Sequence, residues 1–227
     1  MAHQFTLPPL VRGEWLPMTS DEFDAWVPDG MRAEWVDGKG MLFVTSSERH
    51  VLVGVLLTRL LATFLEVFDL GVLYVAPFEM RLRGGASRRE PDLFVVLQRN
   101  RDRTDRYRFE GPADFVIELV SEHSVRVDRF DKLREYEAAG VPEYLLIDTV
   151  DPERDVEFYR LNDIGRFERV GPDELGRHSS QILPGVWFDS RWFQQEVLPI
   201  PEDLLLQIAP DAYSAWLLAR IAAQRGG

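Results

Sequence analysis

Asp114-Phe-Val-Ile-Glu118-Leu-Val-Ser121 is the stretch on which the reading of this chain turns. Phe115, Val116, Ile117, Leu119 and Val120 surround a single carboxylate, so that both sides of the segment are apolar except at Glu118. This pattern predicts a strand whose two faces are both covered. A carboxylate removed from water in such a strand costs several kcal/mol, or takes up a proton, unless it is compensated. Glu118 therefore requires a metal ion or a fixed cation close by.

The flanking sequence predicts a layered α/β unit. Upstream, Pro91 to Leu97 reads as a strand with its proline at the first position, where the missing N–H is tolerated. Downstream, Ser121 to Ser124 caps a helix from about Val125 to Ala139, which Gly140 and Pro142 end, and EYLLID closes the unit at Asp148. Strand, helix and strand in this order imply a parallel pair with a right-handed crossover. Further out, Thr19 to Glu22 has the spacing of a capping box ahead of a short helix. RAEWVDGKGMLFV alternates about Asp37-Gly38 as a hairpin, with strands near 32–37 and 40–44. Val53, Leu56, Leu57, Leu60, Leu61, Phe64 and Phe68 form the apolar face of a long helix over 48–68. Two short strands follow, near 72–76 and 78–83, with a loop at Gly84-Gly85. A polar hairpin spans 152–170, a short helix 186–196, and two helices 202–223. The expected class is α/β: a mixed central sheet flanked by helices over residues 1–198, with an N-terminal β-hairpin and a C-terminal helical extension over 199–227.

Composition narrows the chemistry. The 227 residues contain no cysteine, which excludes disulfides, thiolate metal sites and a cysteine nucleophile. The four histidines, at 3, 50, 123 and 178, offer no i, i+4 zinc pair. The N-terminus lacks the pattern of a secretory signal, and no apolar run approaches a bilayer span of roughly 20 residues, so no membrane and a cytoplasmic setting are expected. Net charge is −12, against binding nucleic acid by bulk electrostatics. Residues 81–108 depart from this average: nine arginines against four acids give +5, which leaves −17 for the remainder. Such a run is a solvated loop or a phosphate-contacting segment.

Three residues converge on the Glu118 strand. Asp92 opens the preceding strand in EPDL, Glu118 follows in IEL, and Lys132 lies on the next helix in DRFDKLREY. Two carboxylates at strand ends suit a hard divalent cation such as Mg2+. A lysine beside them can hold the attacking water or offset charge developing on a phosphoryl group. The same residues have plainer explanations: turn chemistry for Asp92, and an i, i+4 pair with Asp128 for Lys132. No G-x-S-x-G turn supports acyl transfer, and GKG at 38–40 lacks the spacing of a phosphate loop.

EPDLFVV, DFVIELVS and DKLREYEAAGVPEYLLIDT, with the upstream RAEWVDGKG and the helix led by His50, resemble the Uma-two family of proposed endonucleases in the PD-(D/E)XK superfamily, over roughly residues 15 to 195. The resemblance implies a restriction endonuclease-like core and a nuclease that uses Mg2+ or Mn2+, held by Asp92 and Glu118. It also implies Lys132 as the catalytic lysine, displaced to the helix because position 120, where the superfamily usually has lysine, is Val120. Glu34 matches an acid that completes the metal site. With DNA as the expected substrate, Arg88 and Arg89 would contact phosphates, His50 would face the site, and Tyr136, one turn beyond Lys132, would steer it. A competing expectation is a catalytically silent assembly module of the same fold, in which the tryptophans and the apolar stripe of the last helix form a homodimer or partner face.

Overall fold

The computed structural model describes residues 8–28, 31–42, 46–82, 87–151 and 153–225. Its central sheet has six strands in the order Phe167–Arg169, Glu157–Leu161, Glu143–Asp148, Phe115–Val120, Leu93–Leu97 and Gly71–Val75. The Glu118 strand pairs in parallel with Glu143–Asp148 and antiparallel with Leu93–Leu97. Its side chains alternate between two cores. Phe115, Ile117 and Leu119 join Leu57, Leu60 and Phe64 of the long helix Glu48–Phe68. Val116 and Val120 join Tyr136 and Tyr144 on the other side. Both faces are covered, as the apolar run predicts.

The long helix has the length and apolarity of a membrane-crossing segment, but its face from Val53 to Leu65 is buried against the central sheet. Each fully buried leucine there contributes about 1.5–3 kcal/mol. Helices Pro201–Ile208 and Pro210–Arg225 add Leu204, Leu205 and Tyr213 to the same core. The helical extension expected from residue 199 thus shares the main apolar cluster.

A second six-stranded sheet runs Leu16–Pro17, Lys39–Leu42, Ala33–Val36, Ser87–Arg89, Glu79–Arg81 and Arg108–Glu110. The expected hairpin is its nucleus: Asp37 and Gly38 both adopt positive φ, 46° and 77°, the conformation that a tight two-residue turn demands. The outer ends of two expected strands, at residues 43–44 and 83, and the expected Gly84-Gly85 loop lie outside the described residues.

Two expectations are corrected. The arginine-rich segment is only in part a solvated loop: Arg81, Arg88, Arg89 and Arg108 are strand residues of the second sheet, while Arg99, Arg101 and Arg106 stand exposed in the 3-10 turn and loop between. The helix expected over 125–139 contains a π-helical stretch, Val127–Lys132, before regular helix Leu133–Ala139, with Gly140 at φ 84° as its left-handed cap. The segment 186–196 holds a short helix as expected, Ser190–Gln194, capped by Asp189 after the strand Trp187–Asp189, which pairs with Arg177–Ser179.

Candidate active site

Register brings the two predicted carboxylates together. Leu93 faces Ile117 and Phe94 faces Val116 across the antiparallel pair, so the next step outward sets Asp92 opposite Glu118. The contact is reciprocal: the Asp92 N–H donates to Glu118 Oε2 at 3.3 Å, and the Leu119 N–H donates to Asp92 Oδ2 at 2.8 Å. Glu118 points to the side of the sheet covered by the π-helical turn, and there its cation is found. Lys132 Nζ lies 3.0 Å from Glu118 Oε1 and the Tyr136 hydroxyl donates to the same oxygen at 2.8 Å.

Lys132 serves three acids. Besides Glu118 it lies 3.0 Å from Asp128 Oδ1 and 3.6 Å from Glu34 Oε1. The helical i, i+4 pair with Asp128 and the contact with Glu118 thus occur together. Glu34 is fully buried and is held by Arg89, whose Nη1 donates to its Oε2 at 2.6 Å, and by the Glu90 N–H at 3.2 Å. Arg89 also forms a two-pronged pair with Glu135, at 2.9 and 2.6 Å.

Asp92 has its own cation, Arg32, which no local sequence pattern marks. The Arg32 guanidinium donates to Asp92 Oδ1 at 2.8 Å and to the Glu90 carbonyl at 2.7 Å. His50 Nε2 stands 3.4 Å from the same carboxylate oxygen, at the start of the long helix, where the Ser47 hydroxyl accepts from the His50 N–H. These groups open onto a cleft of about 810 Å3 whose walls include Arg32, Glu34, His50, Asp92, Asp128 and Lys132.

Electrostatics divide the carboxylates. Burial alone would raise Asp92, but Arg32 and His50 hold it well below the usual carboxylate range. Glu34 is likewise lowered: burial opposes ionisation, and Lys132, Arg89 and Arg32 overcome it. Glu118 is pushed up by burial and by its neighbours Asp92, Asp128 and Glu34, against the pull of Lys132. Asp128 is also raised, by burial first. Glu90, buried beside the cluster, is pushed up to about 8 by desolvation. Lys132 is raised above its ordinary value because Asp128, Glu118 and Glu34 outweigh its burial, so it is an ammonium throughout the neutral range.

The structure therefore brings Asp92, Lys132, Glu34 and His50 to the wall of one cleft, with buried Glu118 in contact with Asp92 and Lys132. It places three expected contacts elsewhere. Arg89 and Tyr136 are buried, 1% and 0% exposed, and support Glu34 and Glu118 from behind; Tyr136 hydrogen-bonds Glu118 rather than Lys132. Arg88 pairs with Asp24 at 2.5 Å. Of the other arginines expected to touch phosphate, Arg81 pairs with Glu79, Arg99 with Asp114 and Arg108 with Glu110, and Arg103 donates to the Glu110 and Pro112 carbonyls, while Arg101 and Arg106 stand exposed, the latter over the Tyr107 ring. Arg83 lies outside the described residues. A sequence shows the count of arginines, and only the fold shows which acids consume them.

The donor set fits a hard cation. Asp92, Glu34 and Asp128 line a cleft whose walls also carry Arg12, Arg32, Arg49 and Lys132, with Glu118 in contact with Asp92 and Lys132; burial first, and the neighbouring acids after it, keep Glu118 and Asp128 raised. Among the described residues no three His, Asp or Glu side chains form a metal cage by themselves. An ion resting on Asp92 and Glu118 would take its other ligands from water and substrate, as Mg2+ commonly does.

This geometry, on a mixed sheet flanked by helices, is that of a restriction endonuclease-like protein. The family model described as "Putative restriction endonuclease", Uma2, matches residues 20–191, and the chain belongs to that family. Among solved structures, the chain is similar to the crystal structure of "a putative nuclease belonging to DUF820" from Anabaena variabilis ATCC 29413. The two share 16% sequence identity with a TM-score of 0.64, over 78% of this chain and 98% of that one. At that identity the likeness is one of fold. Comparison with the curated proteins gives no match.

Proposed function

We propose that the chain is a divalent-metal-dependent endonuclease that hydrolyses phosphodiester bonds in DNA, with Mg2+ or Mn2+ held by Asp92 and Glu118. The supporting observation is the convergence of Asp92 and Lys132 at the wall of one cleft, with fully buried Glu118 in contact with both. The bound ion would supply Lewis acidity toward a phosphoryl oxygen and a more acidic water. The protein's own groups do the rest. Lys132, charged and held by carboxylates, stabilises negative charge that builds on the phosphoryl group, and it cannot serve as a base. Arg32 and His50, on the cleft side of Asp92, orient the phosphate. Tyr136 and Arg89 keep Glu118 and Glu34 in place. Incubating supercoiled plasmid with the protein tests this reading: strand cleavage is expected with Mg2+ or Mn2+, lost on chelation and in Asp92→Ala. Equal cleavage by the parent and by Asp92→Ala would exclude the site.

A second reading, an assembly module of the same fold, is favoured by the last helix, on which Leu218 and Ile221 stand 67% and 45% exposed beyond the packed Tyr213. Calorimetry separates the two: the nuclease reading expects Mn2+ binding that disappears in Asp92→Ala, and the assembly reading expects no binding together with a dimer that Leu218→Glu dissociates.

A further inference from the structure

Lys132 is one of only two lysines among 26 lysines and arginines; the other, Lys39, is exposed in the hairpin. A chain that uses arginine nearly everywhere has a compact ammonium at its most crowded acidic point, where a planar fork could not face three acids at once. An ammonium has three N–H donors. Here the ammonium forms ion pairs with Glu118 from the central sheet at 3.0 Å, Asp128 from the lysine's own π-helical turn at 3.0 Å, and Glu34 from the second sheet at 3.6 Å.

The three acids are not equivalent. Glu118 Oε1 also accepts from Tyr136, and its Oε2 accepts from the Asp92 N–H. Glu34 is held by Arg89 and the Glu90 N–H. Asp128 Oδ1 has the Lys132 ion pair and no hydrogen bond among the described residues, while the Ser124 side chain hydrogen-bonds the Asp128 carboxylate. Asp128 is 1% exposed yet lines the cleft, and the Tyr144 hydroxyl donates to its backbone carbonyl at 2.9 Å, which pins the turn to the central sheet. π-helical turns occur often at functional sites, where they re-aim side chains.

We propose that Asp128 is a positioning residue for Lys132: it fixes the ammonium at the cleft wall independently of Glu118, so that Lys132 stays in place when Glu118 turns toward a bound cation or substrate. Its effect on catalysis rests on the nuclease reading above; its effect on the ammonium does not.

The test joins spectroscopy to kinetics in Asp128→Asn and Asp128→Glu. With two lysines, the Nζ region of a 1H–15N spectrum is simple: buried Lys132 gives a persistent ammonium correlation, and exposed Lys39 exchanges with water. In Asp128→Asn the Lys132 correlation is expected to broaden or disappear. Plasmid cleavage should lose about tenfold in kcat with KM within about twofold, at a melting temperature within about 5 °C of the parent. Asp128→Glu, which keeps the charge, should recover part of both. An Asp128→Asn protein that retains the correlation and the parental kcat overturns the proposal. Should Asp128→Asn not fold, Asp128→Glu decides alone: a displaced correlation with reduced kcat supports the proposal, and parental values of both overturn it. If the parent cleaves nothing with Mn2+, the nuclease reading falls, and the correlation in the variants still decides the role of Asp128.

Discussion

Ile117 and Glu118 are consecutive, both fully buried, and face opposite sides of one strand. Ile117 enters a cluster built with Leu57, Leu60 and Phe64, in which every neighbour is apolar. Glu118 enters a layer where Lys132, Asp128, Glu34, Arg89 and Tyr136 are packed among Val116, Val120 and Tyr144. One face of the sheet gains stability from each buried atom. The other offsets desolvation with ion pairs and retains a surplus of carboxylate, an arrangement that gains little stability.

Substitutions on the two faces should therefore fail differently. The largest effect is expected for Glu118→Gln, which removes a charge and little volume: cleavage should fall by about a thousandfold. Unfolding in urea should change by less than about 1 kcal/mol, because Lys132 still has Asp128 and Glu34. A Glu118→Gln protein that unfolds much more easily than the parent would mean that the carboxylate is structural. Next, Lys132→Met leaves three buried acids without their common cation, and denaturant unfolding should show a loss of about 3–5 kcal/mol. That expectation makes Lys132 the one site residue whose removal damages fold and chemistry together.

Ile117→Ala breaks the comparison from the other side. It should cost about 2–4 kcal/mol of stability by leaving a cavity, and the fraction that remains folded should cleave at the parental rate. The smallest effect concerns His178, buried far along the sheet with its Nδ1 3.2 Å from the Val170 carbonyl. Burial lowers its pKa below the ordinary 6.5 despite that contact. A histidine depressed in the folded state favours folding above its unfolded pKa, and this contribution is lost as pH falls through the folded value. The drop in melting temperature on acidification from neutral should accordingly be shallower in His178→Gln.

Much of the fold was legible locally. The 2-residue period around Asp37-Gly38, the three-and-four spacing of Val53 to Phe64, and the cap at Gly140 each act within a few residues, and each matches an observed element. The short strands Ser87–Arg89, Arg108–Glu110 and Arg177–Ser179 were not legible, because none has an apolar alternation of its own, and the first two are also held by strands far off in the chain, Ala33–Val36 and Glu79–Arg81. In the site, Asp92, Glu118 and Lys132 could be named from sequence. Arg32 could not: it is the neighbour of a hairpin strand, 60 residues from the aspartate that it serves. Asp128 was visible only as an ordinary helical partner of Lys132.

By itself, then, the sequence determined that a charge lay inside a two-faced strand and that something cationic had to meet it, since periodicity and the cost of burying a carboxylate are local facts. Which cation, and what that cation also had to serve, only the tertiary structure decided. Sheet register set Asp92 opposite Glu118, and the packing of two sheets around one π-helical turn brought three acids to Lys132. The same packing drew Arg89 of the arginine-rich segment into buried ion pairs and set Arg81, Arg88, Arg99 and Arg108 beside acids at the surface. Electrostatic partners act through space, and their choice depends on which distant residues the fold makes neighbours.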